Sequence, residues 1–266
     1  MKIKVITDNS CDLPQEIVEK YNIGVVALHT LLNGKDVKLT PDEILEQMNK
    51  GNAVKTSQVK PSEFEEIYSK MLEEYDGILS VHLSKKLSGT YASAVMSAKK
   101  FNGKVEVVDS RSTSAALGAV VLKAVELAKT VEFRESAEKL RKISEKVETI
   151  FGIKVIDNLV KGGRVGPLVG KLSKMFNAKP ILRGIEGEIK LYKVTLGFKR
   201  VLREIVNFIN DNAVLDNRIF VAHVHAESDV DYIRAHTNMK VISCKAGPTI
   251  TIHAGDGFVL VGFIVE

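Results

Sequence analysis

The sequence predicts an α/β protein in two parts. A parallel sheet wrapped by helices is expected over residues 1–150, and an α+β domain with a mostly antiparallel sheet over 151–266. Three observations carry this expectation. Short β-rich runs alternate with helical segments through the first half, as parallel strands joined by helical crossovers do. Beyond residue 150 a hairpin signal and closely spaced strand-like runs replace that alternation. Apolar residues make up 45% of the 266, aromatics only 6%, and Trp is absent, so the chain can bury a sizeable and chiefly aliphatic core.

Taken in order, the first strand is expected at 3–7, stopping at Asp8. Asp12 ahead of Leu13-Pro14-Gln15 reads as a helix cap. A strand follows at 25–29. Thr40-Pro41-Asp42-Glu43 joins a cap, a first-turn proline and an acid three residues on, which predicts a helix over 41–50. Ser62 and Glu65 repeat that box before a helix reaching about Glu74. Strands at 78–83 and 105–108 alternate with helices at 88–101 and 112–129, and a charged amphipathic helix covers 135–148. In the second part a strand at 151–156 leads to the glycine-rich turn Lys161-Gly162-Gly163-Arg164-Val165-Gly166 and a helix at 168–176. Glycines 184 and 187, between strands at 181–182 and 188–194, signal a hairpin. A helix is expected at 198–210, and strands at 218–225, 240–244, 249–253 and 258–265.

Charge and cysteine content narrow the function classes. The formal charge is +5 from 38 basic and 33 acidic side chains, with no Lys/Arg block of the kind that marks a nucleic-acid face. Cys11 and Cys244 lie far apart with no metal-type spacing, so reduced thiols are expected. The longest apolar runs, at 115–122 and 258–265, are too short to span a bilayer. No signal peptide is recognisable before the first strand, and a cytoplasmic location without membrane insertion is expected.

In parallel sheets ligands sit beyond the carboxyl ends of the strands. Here those ends carry Asp8-Asn9-Ser10, then Ser84 with Ser88-Gly89-Thr90, then Asp109-Ser110. Leu87-Ser88-Gly89-Thr90 opens a helix, where free N–H groups, the helix dipole and the hydroxyls suit a carboxylate or phosphate. Gly89 would let the backbone approach such a group closely; the plainer reading is that Ser88 caps the helix. Thr56-Ser57-Gln58 reads as a polar loop at a sheet edge, either lining a cleft or merely solvated. Arg164 on its glycine turn suits bidentate pairing with a carboxylate, or is simply exposed. His253, read as preceding a turn between two late strands, suits hydrogen bonding to an anion or a structural role. His223 and His225 would share one strand face, but no third ligand, His253 and Asp229 included, has a recognisable spacing, so no metal is expected. There is no GxxxxGK[ST] loop, GxSxG elbow or HExxH, and the Gly255/Gly257 pair ends as a dinucleotide fingerprint at Leu260. No cofactor is expected. A hydrolase or phosphotransferase using Ser88 and His253 is the enzymatic alternative.

Several short blocks, taken in order, give the chain a resemblance to the DegV family of fatty-acid-binding proteins. They are Thr56-Ser57-Gln58 with Pro61 and Phe64, Leu83-Ser84, Leu87-Ser88-Gly89-Thr90-Tyr91, and Val108-Asp109-Ser110. Lys161-Gly162-Gly163-Arg164, Lys179-Pro180-Ile181-Leu182, His225-Ala226 and His253-Ala254-Gly255-Asp256-Gly257 complete the series. The resemblance implies two α/β domains holding a long-chain fatty acid between them, the tail in an apolar tunnel. It implies that Thr56 and Ser88 hold the carboxylate, with Arg164 and His253 beside it. It also implies a non-catalytic protein, some of whose relatives present the bound acid to a separate fatty acid kinase. The chain departs from the family pattern at Asn9, Val59, Leu196, Asp256 and Leu260, and Asp256 is expected beside His253.

Overall fold

The structure is a computed structural model that describes residues 1–165 and 177–266. The helix expected at 168–176 lies outside the described residues. In chain order the first part comprises β1 (Ile3–Asp8), α1 (Gln15–Lys20), β2 (Gly24–Val26), β3 (His29–Leu32), β4 (Lys35–Val37), α2 (Pro41–Asn49), β5 (Val54–Ser57) and α3 (Pro61–Met71). It continues with β6 (Gly77–His82), α4 (Thr90–Ala98), β7 (Val105–Asp109), α5 (Ser114–Thr130) and α6 (Phe133–Ser144). Then come β8 (Val147–Gly152), α7 (Asp157–Lys161), β9 (Ala178–Ile185), β10 (Glu188–Leu196) and α8 (Phe198–Asn210). The chain closes with β11 (Arg218–His223), α9 (Glu227–His236), β12 (Lys240–Lys245), α10 (Pro248–Ala254) and β13 (Val259–Ile264).

Three sheets form. One is parallel throughout, in the order β2-β1-β6-β7. A six-stranded sheet runs β10-β9-β8-β13-β11-β12 and is antiparallel except for the β11–β12 pair. A small antiparallel sheet, β4-β3-β5, carries Thr56. The expected α/β architecture, one parallel and one mostly antiparallel sheet, is therefore present.

The period-two alternation of strands sorts the layers. On β6, Ser80 and His82 face α3, where they meet Tyr68 and Phe64, while Gly77 faces Phe133 of α6. On β13, Val259, Val261 and Phe263 join a core under α8 and α9, whereas Leu260 and Ile264 join the core shared with the parallel sheet. Helix α5 packs against both large sheets. Its eleven buried residues are Ala, Val, Leu, Gly and one Ser, as a helix covered on several sides requires. Glycine makes that fit close. A Cβ on Gly262 of β13 would lie 2.3 Å from Ala116 Cα, and one on Gly118 of α5 would lie 2.7 Å from the Cys11 carbonyl oxygen.

Several local expectations are corrected. Residues 249–253 form helix α10, not a strand. Thr-Ile-Thr-Ile favours a strand by propensity, but Pro248 starts a helix at its first position, and Thr251 N–H to Gly247 and Gly255 N–H to Thr251 close its turns. Asp12 does not cap α1. Its φ is +42°, and its carboxylate accepts from Ser114 Oγ (2.6 Å) and Gly247 N (2.8 Å), tying the end of β1 to α5 and the six-stranded sheet. Burial pushes that carboxyl up to about 7. Helix α3 starts at Pro61, with Glu63 rather than Glu65 receiving the Lys60 N–H. The strand expected at 25–29 is broken, β2 and β3 belonging to different sheets. Helix α6 ends at Ser144 and β8 begins at Val147. Strand β11 ends at His223 and His225 turns away with φ +45°, so the two histidines do not share a strand face.

Gly262→Ala is expected to destabilise the protein by roughly 1–3 kcal/mol, because the added methyl meets backbone of α5 rather than a movable side chain. Urea denaturation measures this; an unchanged midpoint means the α5–β13 approach is looser than described.

Candidate functional site

A cavity of about 990 Å³, its open mouth included, lies between the two large sheets and the small one. Its apolar wall includes Leu28, Leu83, Leu87, Phe151, Ile250 and Leu260, from both halves of the chain. The five residues singled out from sequence, Thr56, Ser88, Gly89, Arg164 and His253, all line it.

Thr56 and Ser57 are not in a loop. They end strand β5, whose register pairs Thr56 with Thr30 and Ser57 with His29. His253 comes from the last turn of α10, and its Nε2 lies 2.9 Å from Thr56 Oγ1 across 197 residues of sequence. Burial, reinforced by the nearby Arg164 charge, lowers the His253 pKa from 6.5 to about 4, so the imidazole is neutral at pH 7. It contributes hydrogen bonding rather than charge.

Ser88 and Gly89 enter from the segment leading into α4. The Ser88 hydroxyl accepts from Thr90 N (3.2 Å) and lies 3.0 Å from Thr90 Oγ1. Gly89 has an ordinary φ of −73°, so no unusual backbone conformation requires glycine there. Its lack of a side chain is used by Gln58. A Cβ on Gly89 would fall 1.8 Å from the Gln58 amide oxygen, while Gln58 Nε2 donates to Ser93 Oγ (3.2 Å). Gln58 thereby lies over Gly89 and fastens the end of β5 to α4. Thr90 is fully buried and does not line the cavity.

Arg164 donates from Nε to Leu87 O (3.3 Å) and from Nη1 to Gly162 O, holding its guanidinium at the cavity wall near Ser88. Asp256 is not paired with His253. It faces His225, whose Nδ1 is 3.0 Å away and whose Nε2 is 2.8 Å from Asp42 at the start of α2. Asp8 and Ser10 turn inward: Asp8 accepts from Ser10, His82 Nδ1 and Leu83 N–H, all buried. They brace the sheet rather than line the cavity.

The sequence did not single out Ser112, Thr113 and Ser114 at the start of α5, or Thr149 on β8, all of which line the cavity. The hydroxyls of Ser112 and Thr149 pair at 2.9 Å, and Ser114 is held by Asp12. The available signal was the hydroxyl-rich run directly after β7, which matters only because α5 aims its start between the sheets.

These features define a class: an α/β protein of two large sheets and a small one, with a largely apolar internal cavity lined by hydroxyls from separate elements and by a neutral histidine. The chain belongs to the DegV family. Residues 2–266 match the family model described as uncharacterised protein, DegV family. A DegV domain-containing protein of Caldanaerobacter subterraneus subsp. tengcongensis is 30% identical over 269 residues, 96% of this chain and 95% of that one. A DegV family protein from Thermus thermophilus, described by its fatty acid binding, superposes with a TM-score of 0.91 at 30% identity, covering 100% of both chains. A DegV lipid binding protein from Thermotoga maritima superposes at 0.87 with 29% identity, over 100% of this chain and 99% of that one.

The lowered pKa of His253 has a consequence for stability. The unfolded chain takes up this proton near pH 6.5, the folded one only near 4, so its contribution is intact above 6.5 and is lost as pH falls toward 4. Between pH 7 and pH 5, wild type is expected to lose up to about 2 kcal/mol more than His253→Gln. Urea melts at the two pH values test this; equal losses mean the histidine is not held neutral.

Proposed function

We propose that this protein binds a long-chain fatty acid in the cavity between its sheets, with the carboxylate at Thr56 and Ser88 and the tail along the apolar wall. The single observation that carries the reading is that one largely apolar cavity is lined by Ser88 and by the hydrogen-bonded pair Thr56 and His253. Binding of fatty acid by the Thermus thermophilus relative and of lipid by the Thermotoga maritima one supports it.

Two terms set the energetics. Burying the tail contributes about 0.8 kcal/mol per CH₂, hence about 10 kcal/mol for a sixteen-carbon acid before the costs of association. Hydrogen bonds at the head mainly offset the carboxylate's desolvation and orient it. Gln58 and Arg164 hold the surrounding backbone in place. The protein serves lipid transport or fatty acid metabolism as a carrier. In this reading the carrier presents the bound acid to a separate fatty acid kinase, its own sequence carrying no phosphate loop.

The hydrolase alternative needs a histidine activating Ser88. His253 instead bonds Thr56, and Ser88 bonds Thr90. Binding rather than turnover is the reading this favours.

Mass spectrometry of lipid extracted from the purified protein is expected to find a long-chain fatty acid; its absence, together with failure to bind added palmitate, overturns the reading. Ser88→Ala is expected to weaken palmitate binding roughly 10- to 100-fold, the loss of one hydrogen bond to a charged group, in a protein that still folds but melts somewhat lower because Thr90 loses its partner. Undiminished affinity removes Ser88 from the head-group site.

A further inference from the structure

The hydrogen bonds behind Ser88 fix the direction in which its hydroxyl points. Thr90 is fully buried, out of reach of solvent. Its Oγ1 has two polar neighbours among the described residues, the Val59 N–H at 3.4 Å and Ser88 Oγ at 3.0 Å. Val59 N–H can only donate, so the Thr90 hydroxyl proton has one acceptor, Ser88 Oγ. That oxygen also accepts the Thr90 backbone N–H at 3.2 Å. With both lone pairs of Ser88 occupied by Thr90, its own proton remains, and the cavity that Ser88 lines is where it is directed.

We propose that Thr90, which does not line the cavity, is a positioning residue that makes Ser88 an obligate hydrogen-bond donor toward the ligand and so tunes the site to an ionised carboxylate over a neutral head group. The inference rests on the fatty-acid reading and extends it to head-group selection. A carboxylate is acceptor-only and charged, so a fixed donor serves it fully. A primary alcohol brings a proton of its own and gains less from a donor that cannot reverse. Thr56 has no such fixed polarity, because the neutral imidazole opposite it either donates or accepts at Nε2 according to tautomer. Selection therefore falls to Ser88 and the threonine behind it. Val59 N–H adds a second consequence. It links Thr90 to the segment just after β5, so the donor on α4 and the Thr56 wall are set by one chain of bonds.

The test measures dissociation constants for laurate and 1-dodecanol at pH 8, by displacement of a fluorescent fatty acid, for wild type, Thr90→Val and Thr90→Ser. Wild type is expected to prefer the acid. The acid-to-alcohol preference is expected to fall about 10-fold in Thr90→Val and to return in Thr90→Ser, which restores the hydroxyl. If Thr90 served packing alone, Thr90→Val would weaken acid and alcohol together and leave their ratio unchanged, which overturns the proposal. A wild type that binds both equally overturns it while leaving the lipid-binding reading standing. A wild type that binds neither overturns both.

Discussion

Helix α5 is the element on which the rest depends. It lies against the parallel sheet through β1 and β6 and against the six-stranded sheet chiefly through β13, so one helix supplies core to both. Such a position admits few large side chains and no charge on the covered faces, hence its Ala, Val and Leu content. The glycines at 118 and 262 bring backbone against backbone on either side of it. Because the helix is held by both sheets, its first turn opens at the gap between them, and that gap is the cavity.

The small sheet β4-β3-β5 closes a different wall, and polar bonds fasten it and the adjoining α2 to the rest of the molecule. His29 joins β3 to Glu63 of α3 at 3.0 Å, His225 joins the end of β11 to Asp42 of α2 at 2.8 Å, and Thr56 meets His253. These bonds draw on residues far apart in the chain. The polar part of the cavity is thus a meeting of contributions from β5, α4, the α7 region and α10, none of which forms a site alone. Desolvation in that setting keeps His253 neutral, so it contributes hydrogen bonding rather than charge.

Where local hydrogen bonds decide structure, the sequence was legible. The Thr40 box before α2 was read correctly, with Glu43 reaching back to the Thr40 N–H at 2.7 Å, because every partner lies within four residues. The short β-rich and apolar runs of β1, β6, β7 and β13 and the amphipathic pattern of α8 were equally direct. Residues 249–253 were misread for the opposite reason. Their β-branched side chains favour a strand locally, and a helix wins because Pro248 starts it and the surrounding elements bury it on most sides. Asp12 was misread because its partners, Ser114 and Gly247, are more than 100 residues away.

The sequence by itself determined the aliphatic core, the class of fold, the helices with self-contained caps, and the stock of hydroxyls at strand ends from which a head-group site is built. Resemblance across ordered short blocks also pointed to Thr56, Ser88, Arg164 and His253, the helix start to Gly89, and all five line one cavity. Tertiary structure decided which hydroxyls turn toward that cavity and which are spent inside: Ser88 outward, Thr90 and Ser10 inward. It also decided that Gly89 makes room for Gln58 and that His253 is neutral beside Thr56. The physical reason is the same throughout. Hydrogen-bond direction and burial are set by what surrounds a group on every side, and a linear sequence specifies neighbours on only two.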